Sequence, residues 1–246
     1  MGAKARGGRV RRWAGAFRRW PVHPQWLLGG REERTALRDA FSSLSGIVVD
    51  IGCADGRAAK FLPEGCTYVG IDYPGTALGL YGTRPDAFAD ARALPFGDAS
   101  VDGVVLKDVL EHVEGPWAAL RECARVTRAG GTLVLWMPFL YPVHDAPHDY
   151  QRFTRHGLER YLAEAGFDVA GMSGVPKPTR TAGLLMSLAL ADACEQIVTR
   201  RRLWLPLLPV LAALIVVVNL SACVLGLVPA GGFMPAFNRV VAVRRG

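Results

Sequence analysis

Two groups of chemistry-bearing side chains stand out in this 246-residue chain. The first lies in IVVDIGCADG, residues 47–56, where Asp50 and Asp55 bracket Gly52, Cys53 and Ala54 ahead of Gly56, and Asp72 closes a second apolar run, YVGID. A short apolar run that ends in a Gly-rich turn reads as a buried parallel strand. A carboxylate about 20 residues further on stands at the tip of the neighbouring strand, where it accepts ribose hydroxyls. The spacing predicts a nucleotide-type cofactor. The turn is not GxGxxG, which brings a helix N-terminus onto a pyrophosphate. Asp50 and Asp55 repel a diphosphate and suit a ligand that carries an ammonium and a sulfonium.

The second group is PFLYPVHDAPHDYQRFT, which gathers His144, Asp145, His148, Asp149, Tyr150 and Arg152 in a short span. For a hydroxyl acceptor, an imidazole near neutral pKa is a suitable base, so His148 or His144, oriented by Asp149 or Asp145, is the candidate catalytic group. For a phosphate-bearing acceptor, Arg152 or Arg155 is the candidate grip. His and Asp are also metal ligands, but the prolines between them and the lack of a fixed helical spacing argue against a metal, and none is expected.

These groups need elements to hold them. Residues 31–44 read as an exposed helix leading into a first strand at 46–51, and Arg57 to Leu62 as a helix continuing the glycine turn. A second strand ends at Asp72, a short third lies near 86–89, and VDGVVL at 101–106 is the fourth, with Lys107 and Asp108 at its carboxyl end. Pro116 opens the next helix, with Trp117, Leu120 and Ala124 at helical spacing and Gly130-Gly131 as its end. TLVLWM is a fifth strand, Thr154 caps a helix over 155–165 that Gly166 stops, and FDVAGMSGV and FNRVVAVRR are the sixth and seventh strands. This alternation implies an α/β fold with a parallel sheet.

Taken together, these strings resemble the class I S-adenosylmethionine-dependent methyltransferases, in particular the type 11 domain group, over roughly residues 40 to 175. VVDIGCADGR is similar to the group's D-x-G-x-G-x-G motif, with Ala54 where the middle glycine usually stands. YVGID, ADARALPFGDASVDGVVLKDVLEHV and LRECARVTRAGGTLVLWMP follow in the group's order. The resemblance implies a doubly wound, Rossmann-like seven-stranded sheet whose last strand inserts antiparallel between the fifth and sixth. It implies S-adenosyl-L-methionine as cofactor, with Gly52, Cys53, Ala54 and Gly56 against the methionine moiety and Asp50 orienting the amine. Asp55, Tyr73 and Lys107 join that cofactor set, Asp72 holds the ribose, and Asp90 and Ala91 meet the adenine edge. His112, in the EHV signature, is expected to serve packing and hydrogen bonding rather than proton transfer.

Charge sorts the partners. Seven of the 29 Lys and Arg fall in residues 1–20 and six in 196–246, neither with an acid, which leaves 16 basic and 22 acidic residues between, a net of −6. A nucleic-acid enzyme carries its positive field around the active face, so nucleic acid is an unlikely substrate. The five cysteines show no ligand spacing and read as reduced thiols. In residues 1–30, a basic aromatic segment, Val10, Trp13, Ala14 and Phe17 share one helical face, as in an interfacial helix.

The connection before the last strand is long. It runs over 176–236 and holds LLMSLALADA and then a stretch from Val210 to Val228 without a charge. A single membrane crossing places the seventh strand on the wrong side of the bilayer and its arginines outside. The expectation is a membrane-associated apolar hairpin, broken at Pro206, Pro209 and around Asn219, with Arg200, Arg201 and Arg202 at the anionic inner surface. The chain thus divides into the N-terminal segment, a cofactor-binding core over 31–175, the insertion, and a last strand at 237–246. The reading is a cytoplasmic-face methyltransferase for an amphiphilic or lipid-linked acceptor. The alternatives are a soluble metabolite or sugar acceptor with the insertion as a homodimer interface, and a non-catalytic membrane scaffold.

Overall fold

The structure is a computed structural model that describes residues 17–246. Most of the proposed N-terminal helical face, Val10, Trp13 and Ala14, lies outside them. The chain forms two compact units, one of the described residues up to Arg34 with Pro176–Pro235, the other of Thr35–Val175 with Ala236–Gly246.

The second unit is built on a sheet of seven strands: β1 Ile47–Ile51, β2 Thr67–Asp72, β3 Ala87–Phe88, β4 Val101–Lys107, β5 Thr127–Pro138, β6 Phe167–Val175 and β7 Phe237–Arg244. Their order is β3-β2-β1-β4-β5-β7-β6, with β1 to β5 parallel and β7 antiparallel to both β5 and β6. Alternation along the strands supplies two cores. Val104, Leu106, Leu133 and Leu135 face Leu120, Leu158 and Leu162 of helices α2 (Pro116–Val126) and α3 (Arg155–Ala165). Their neighbours Val105, Val134 and Trp136 face Leu37, Ala40 and Phe41 of helix α1 (Arg31–Phe41). Thr154 caps α3 by accepting from Gly157 N at 3.1 Å, and Gly166 ends it at φ 93.

Two local expectations change. Helix α2 stops at Val126 rather than at the glycine pair, because Thr127 turns extended and donates its hydroxyl back to the Cys123 carbonyl at 2.6 Å. The glycines instead serve a bulge in β5, where the partner register on β4 jumps between Val101 and Gly103. There a Cβ on Gly131 would stand 2.8 Å from the Asp102 carbonyl oxygen. After the glycine turn, Arg57–Phe61 is helical nearly over the expected span but wound as 3-10, and it ends one residue before Leu62, ahead of Pro63.

The first unit contains helix α4 (Pro178–Arg200), a 3-10 stretch Arg202–Leu207 with Pro206 inside it, and helix α5 (Leu208–Leu225). Gly183 meets Ala222 and Ser187 meets Asn219, so numbers rise on one helix as they fall on the other and the pair is an antiparallel hairpin. A Cβ on Gly183 would lie 2.3 Å from that of Ala222, which explains a glycine inside a helix. Asn219 does not break α5. It is fully buried, accepts from Ser187 Oγ at 2.9 Å, and donates to the Pro21 and His23 carbonyls at 2.6 and 3.0 Å.

Asn219→Ala takes away the partner of the Ser187 hydroxyl and of the Pro21 carbonyl, while the His23 carbonyl keeps the Trp26 amide at 2.9 Å, at a cost of about 1–3 kcal/mol. A thermal melt of the variant is expected to show that loss, and a melt equal to that of the parent would contradict the assigned role.

Candidate active site

Strand order reverses between β1 and β4, and the carboxyl ends of these strands with those of β2 and β5 hold most of the predicted residues. The turn after β1 is a left-handed loop, with φ of 72, 48 and 68 at Gly52, Ala54 and Gly56. Gly52 N and Cys53 N both donate to the Ile71 carbonyl, at 2.8 and 3.0 Å. A Cβ on Gly52 would approach Val109 Cγ2 to 2.4 Å, so no side chain fits. Ala54 takes the left-handed conformation that glycine adopts freely, at roughly 1–2 kcal/mol. It is held there by Asp72, whose Oδ2 accepts from Ala54 N at 2.9 Å while Oδ1 accepts from Tyr73 N at 2.7 Å and Thr76 Oγ1 at 3.0 Å.

Asp50 ends β1 with 2% of its surface exposed and accepts from the Tyr68 hydroxyl at 2.8 Å. Burial pushes its carboxyl up to about 6, against the opposing pull of the Tyr68 bond and Lys107. Cys53 is buried beside it, and burial with the charge of Asp50 pushes its thiol up to about 12, so it is no nucleophile. A cleft of about 340 Å³ runs along Cys53–Gly56, Tyr68, Gly70 and Thr83–Asp86. Asp55 pairs with Arg57 at 2.6 Å, and the Tyr73 ring is exposed.

Asp90 is gripped by Arg92, which donates Nε and Nη2 to the two oxygens at 3.0 and 2.7 Å, and this holds its carboxyl below the usual range. Ala91 is buried at its side. Lys107 pairs with Asp108, which has φ 55 and donates its amide to the Trp136 carbonyl at 2.8 Å.

In the segment 141–155, Asp149 reaches His144 and not His148. Its Oδ2 lies 3.2 Å from His144 Nδ1 and accepts from His144 N at 2.9 Å. His148 is exposed, and its Nδ1 lies 3.0 Å from the Tyr150 hydroxyl. Arg152 does not present itself to a phosphate. It forks onto Asp149 at 2.5 and 2.8 Å, also reaches the Tyr141 and Pro142 carbonyls, and holds the Asp149 carboxyl down at about 2. Arg155 pairs with Glu159 on the same helix face at 3.1 Å.

Two residues of the site escaped the sequence reading. Glu111 is fully buried in the Leu110–His112 turn, 3.7 Å from His112 Nε2 and 3.8 Å from His144 Nε2. Burial, then the charge of Asp108, raise its carboxyl above the usual range. His112 donates through Nδ1 to the His148 carbonyl at 2.7 Å, so it ties the two segments together as expected of a hydrogen-bonding group. The Tyr81 phenol is raised by burial and then by the charges of Asp145, Asp72, Asp108 and Glu111. A buried Glu next to a His is the only sequence signal for the first, and the second has none.

Between the ordinary value of 3.8 and about 6, Asp50 holds a proton in the folded chain that the unfolded chain has released. Stability from this group therefore falls as pH rises through that window, by an upper figure of about 3 kcal/mol at pH 7. Asp50→Asn is expected to raise the melting temperature at pH 7.5 and to match the parent below pH 4. A gain that does not depend on pH would refute this account.

Comparison with known proteins agrees with this geometry. Residues 49–135 match the family model described as "Methyltransferase domain". An uncharacterized methyltransferase of Mycobacterium marinum is 33% identical over 156 residues, covering 59% of this chain and 58% of its own. Another, from Mycolicibacterium gilvum, is 41% identical over 95 residues, and there the match spans 37% of the relative's length. Among solved structures, phosphoethanolamine N-methyltransferase 2 of Haemonchus contortus, in complex with S-adenosyl-L-methionine, is 16% identical with a TM-score of 0.53, over 95% of this chain and 60% of that one. The [4+2]-cyclase SpnF is 18% identical with a TM-score of 0.55, over 87% and 80%. The glycine turn, the carboxylate ending β2 and the antiparallel β7 are thus similar to those of the methyltransferase domain that residues 49–135 match, and the chain spans less than two thirds of the length of the relatives it resembles.

Proposed function

We propose that this chain transfers a methyl group from S-adenosylmethionine to an amphiphilic or lipid-linked acceptor at the inner surface of a membrane. The observation that carries the reading is the loop Gly52–Gly56 pinned between Ile71 and Asp72, beside a buried Asp50. Asp50 and Asp72 present two carboxylates to a cationic ligand, and Asp72 Oδ2 keeps a lone pair for a ribose hydroxyl. The cofactor supplies an electrophilic methyl on its sulfonium. This chain's residues align the acceptor and take its proton. Within 141–155, His148 is the candidate base, with Nδ1 engaged by Tyr150 and Nε2 as the ring's remaining position. In the same segment His144 is held by Asp149, Nδ1 to Oδ2 at 3.2 Å.

The acceptor class rests on the hairpin. Helices Pro178–Arg200 and Arg202–Leu225 are long and apolar enough to cross a membrane, with mean hydropathy 1.3 and 2.6. Only Ile215, Asn219 and Ala222 of α5 are buried, while Val210, Leu214, Val217, Leu220 and Val224 are exposed. A helix apolar all round and still exposed favours lipid or another apolar surface. Arg200, Arg201 and Arg202 sit at the hairpin tip next to exposed Leu203 and Trp204. Three guanidiniums oppose insertion of the tip to the bilayer centre, whereas arginine beside tryptophan suits the headgroup layer. The hairpin therefore lies in the interface plane.

Calorimetric titration is expected to give binding of S-adenosylmethionine and none of NADH, and binding of neither would overturn the cofactor reading. Asp72→Ala is expected to weaken that binding by about 1.5–3 kcal/mol. His148→Ala is expected to keep cofactor affinity and to lower turnover. Flotation with anionic vesicles but not neutral ones, weakened by salt, is expected of the interfacial hairpin. A protein that stays soluble without detergent and ignores both kinds of vesicle would favour the soluble-acceptor alternative.

A further inference from the structure

The Glu111 side chain is the feature least explained by methyl transfer. It is completely buried, and neither of its oxygens has a hydrogen-bond partner among the described residues. A buried carboxylate left without donors costs several kcal/mol unless something cationic or hydrogen-bonding meets it. What faces it is two imidazoles. His112 Nε2 and His144 Nε2 stand 3.7 and 3.8 Å from the same oxygen, Oε1. These distances are too long for hydrogen bonds.

They are close to what a metal requires. Ligand atoms held 2.0–2.1 Å from one ion at a tetrahedral angle lie about 3.4 Å apart. One ligand atom from each of Glu111, His112 and His144 lies within 4.8 Å of the other two, so the widest pair closes onto an ion by at most about 1.4 Å. The far side of each ring is already fixed. His144 Nδ1 lies 3.2 Å from Asp149 Oδ2, and Asp149 is itself locked by the Arg152 fork. His112 Nδ1 lies 2.7 Å from the His148 carbonyl. Both contacts favour a proton on Nδ1 and leave the Nε2 lone pairs on the Glu111 side. This is the outer arrangement that metal-binding histidines have, with a carboxylate or a carbonyl behind the ring.

We propose that Glu111, His112 and His144 form a binding site for one divalent transition-metal ion of the zinc class. Two imidazoles and one carboxylate suit zinc and its neighbours better than magnesium or calcium, which prefer oxygen ligands throughout. Three protein ligands leave at least one position open, and the rings are 21% and 27% exposed while the carboxylate is not, so the open position faces solvent. The ligand the ion would take there is an oxygen, from water or from an acceptor hydroxyl. His144 then serves the ion, and His148 keeps the role of base. The HDAPHD string contributes only His144, and the other two ligands come from the turn after β4.

The site is tested on tag-free protein stripped with a chelator, titrated with zinc chloride in a calorimeter and, separately, with cobalt chloride in a spectrophotometer. One zinc per chain at micromolar affinity or tighter is expected, with cobalt giving the visible bands of a low-coordinate site. Glu111→Gln, His112→Ala and His144→Ala are each expected to weaken zinc binding at least tenfold while circular dichroism shows the parent fold. Absence of saturable zinc uptake, or uptake that the folded variants leave unchanged, overturns the proposal. Glu111→Gln removes a buried charge, and should it fail to fold, the two histidine variants decide alone. None of these readings depends on methyl transfer or on S-adenosylmethionine.

Discussion

The Asp72 carboxylate is the joint on which the cofactor side of this molecule turns. It accepts from an amide of the β1 turn and from an amide and a hydroxyl of the β2 turn, so one side chain fixes two loops that are 18 residues apart. The β1 turn needs that hold. Ala54 occupies a left-handed conformation that costs energy, and on the β2 side only the Ile71 carbonyl shares the load. A glycine at 54 would adopt the conformation without help. With alanine there, the carboxylate that is expected to meet a ribose also holds the backbone that is expected to meet the methionine moiety. Loss of Asp72 is therefore felt across the whole loop and not only at one hydroxyl.

What was legible from the sequence was local. A strand ending in DIGCADG and a second ending in GID announce themselves through neighbours in the chain, and the observed strands start within a residue or two of the expected ones. The antiparallel last strand was legible only through resemblance, since nothing in FNRVVAVRR states its direction. Punctuation misled in two places. Gly130-Gly131 looked like a helix stop and serves a bulge. Asn219 looked like a break because a polar residue in an apolar helix usually is one, yet here its amide joins α5 to α4 and to the 21–23 segment. A side chain that is satisfied only by tertiary contacts cannot be told from a breaker by its neighbours in sequence.

The site residues divide by the same rule. Asp50 and Gly52 lie in one string and Asp72 ends the next, and their spacing along the chain made both visible. The pairing of Asp149 with His144 rather than His148 depends on how a proline-containing loop folds back, and spacing alone left both open. Arg152 offered a phosphate grip on paper, but its guanidinium is consumed by the loop that it braces. Glu111 was hidden altogether, because its meaning comes from an imidazole 33 positions away.

Fold alone does not fix the reaction in this architecture. One structure of the same shape is a [4+2]-cyclase, so the chemistry has to be argued from the acceptor side. There the balance of charge is informative. Asp149 is fully compensated by Arg152, and Asp108 by Lys107. Glu111, deepest of the three, meets no guanidinium or ammonium at contact distance among the described residues and is faced by two imidazole rings. A fold that spends an arginine on bracing Asp149 and leaves Glu111 bare keeps a negative centre at the point where two imidazole nitrogens converge. Its stability cost is set against whatever cation or hydrogen-bond donor enters from the exposed side of the rings.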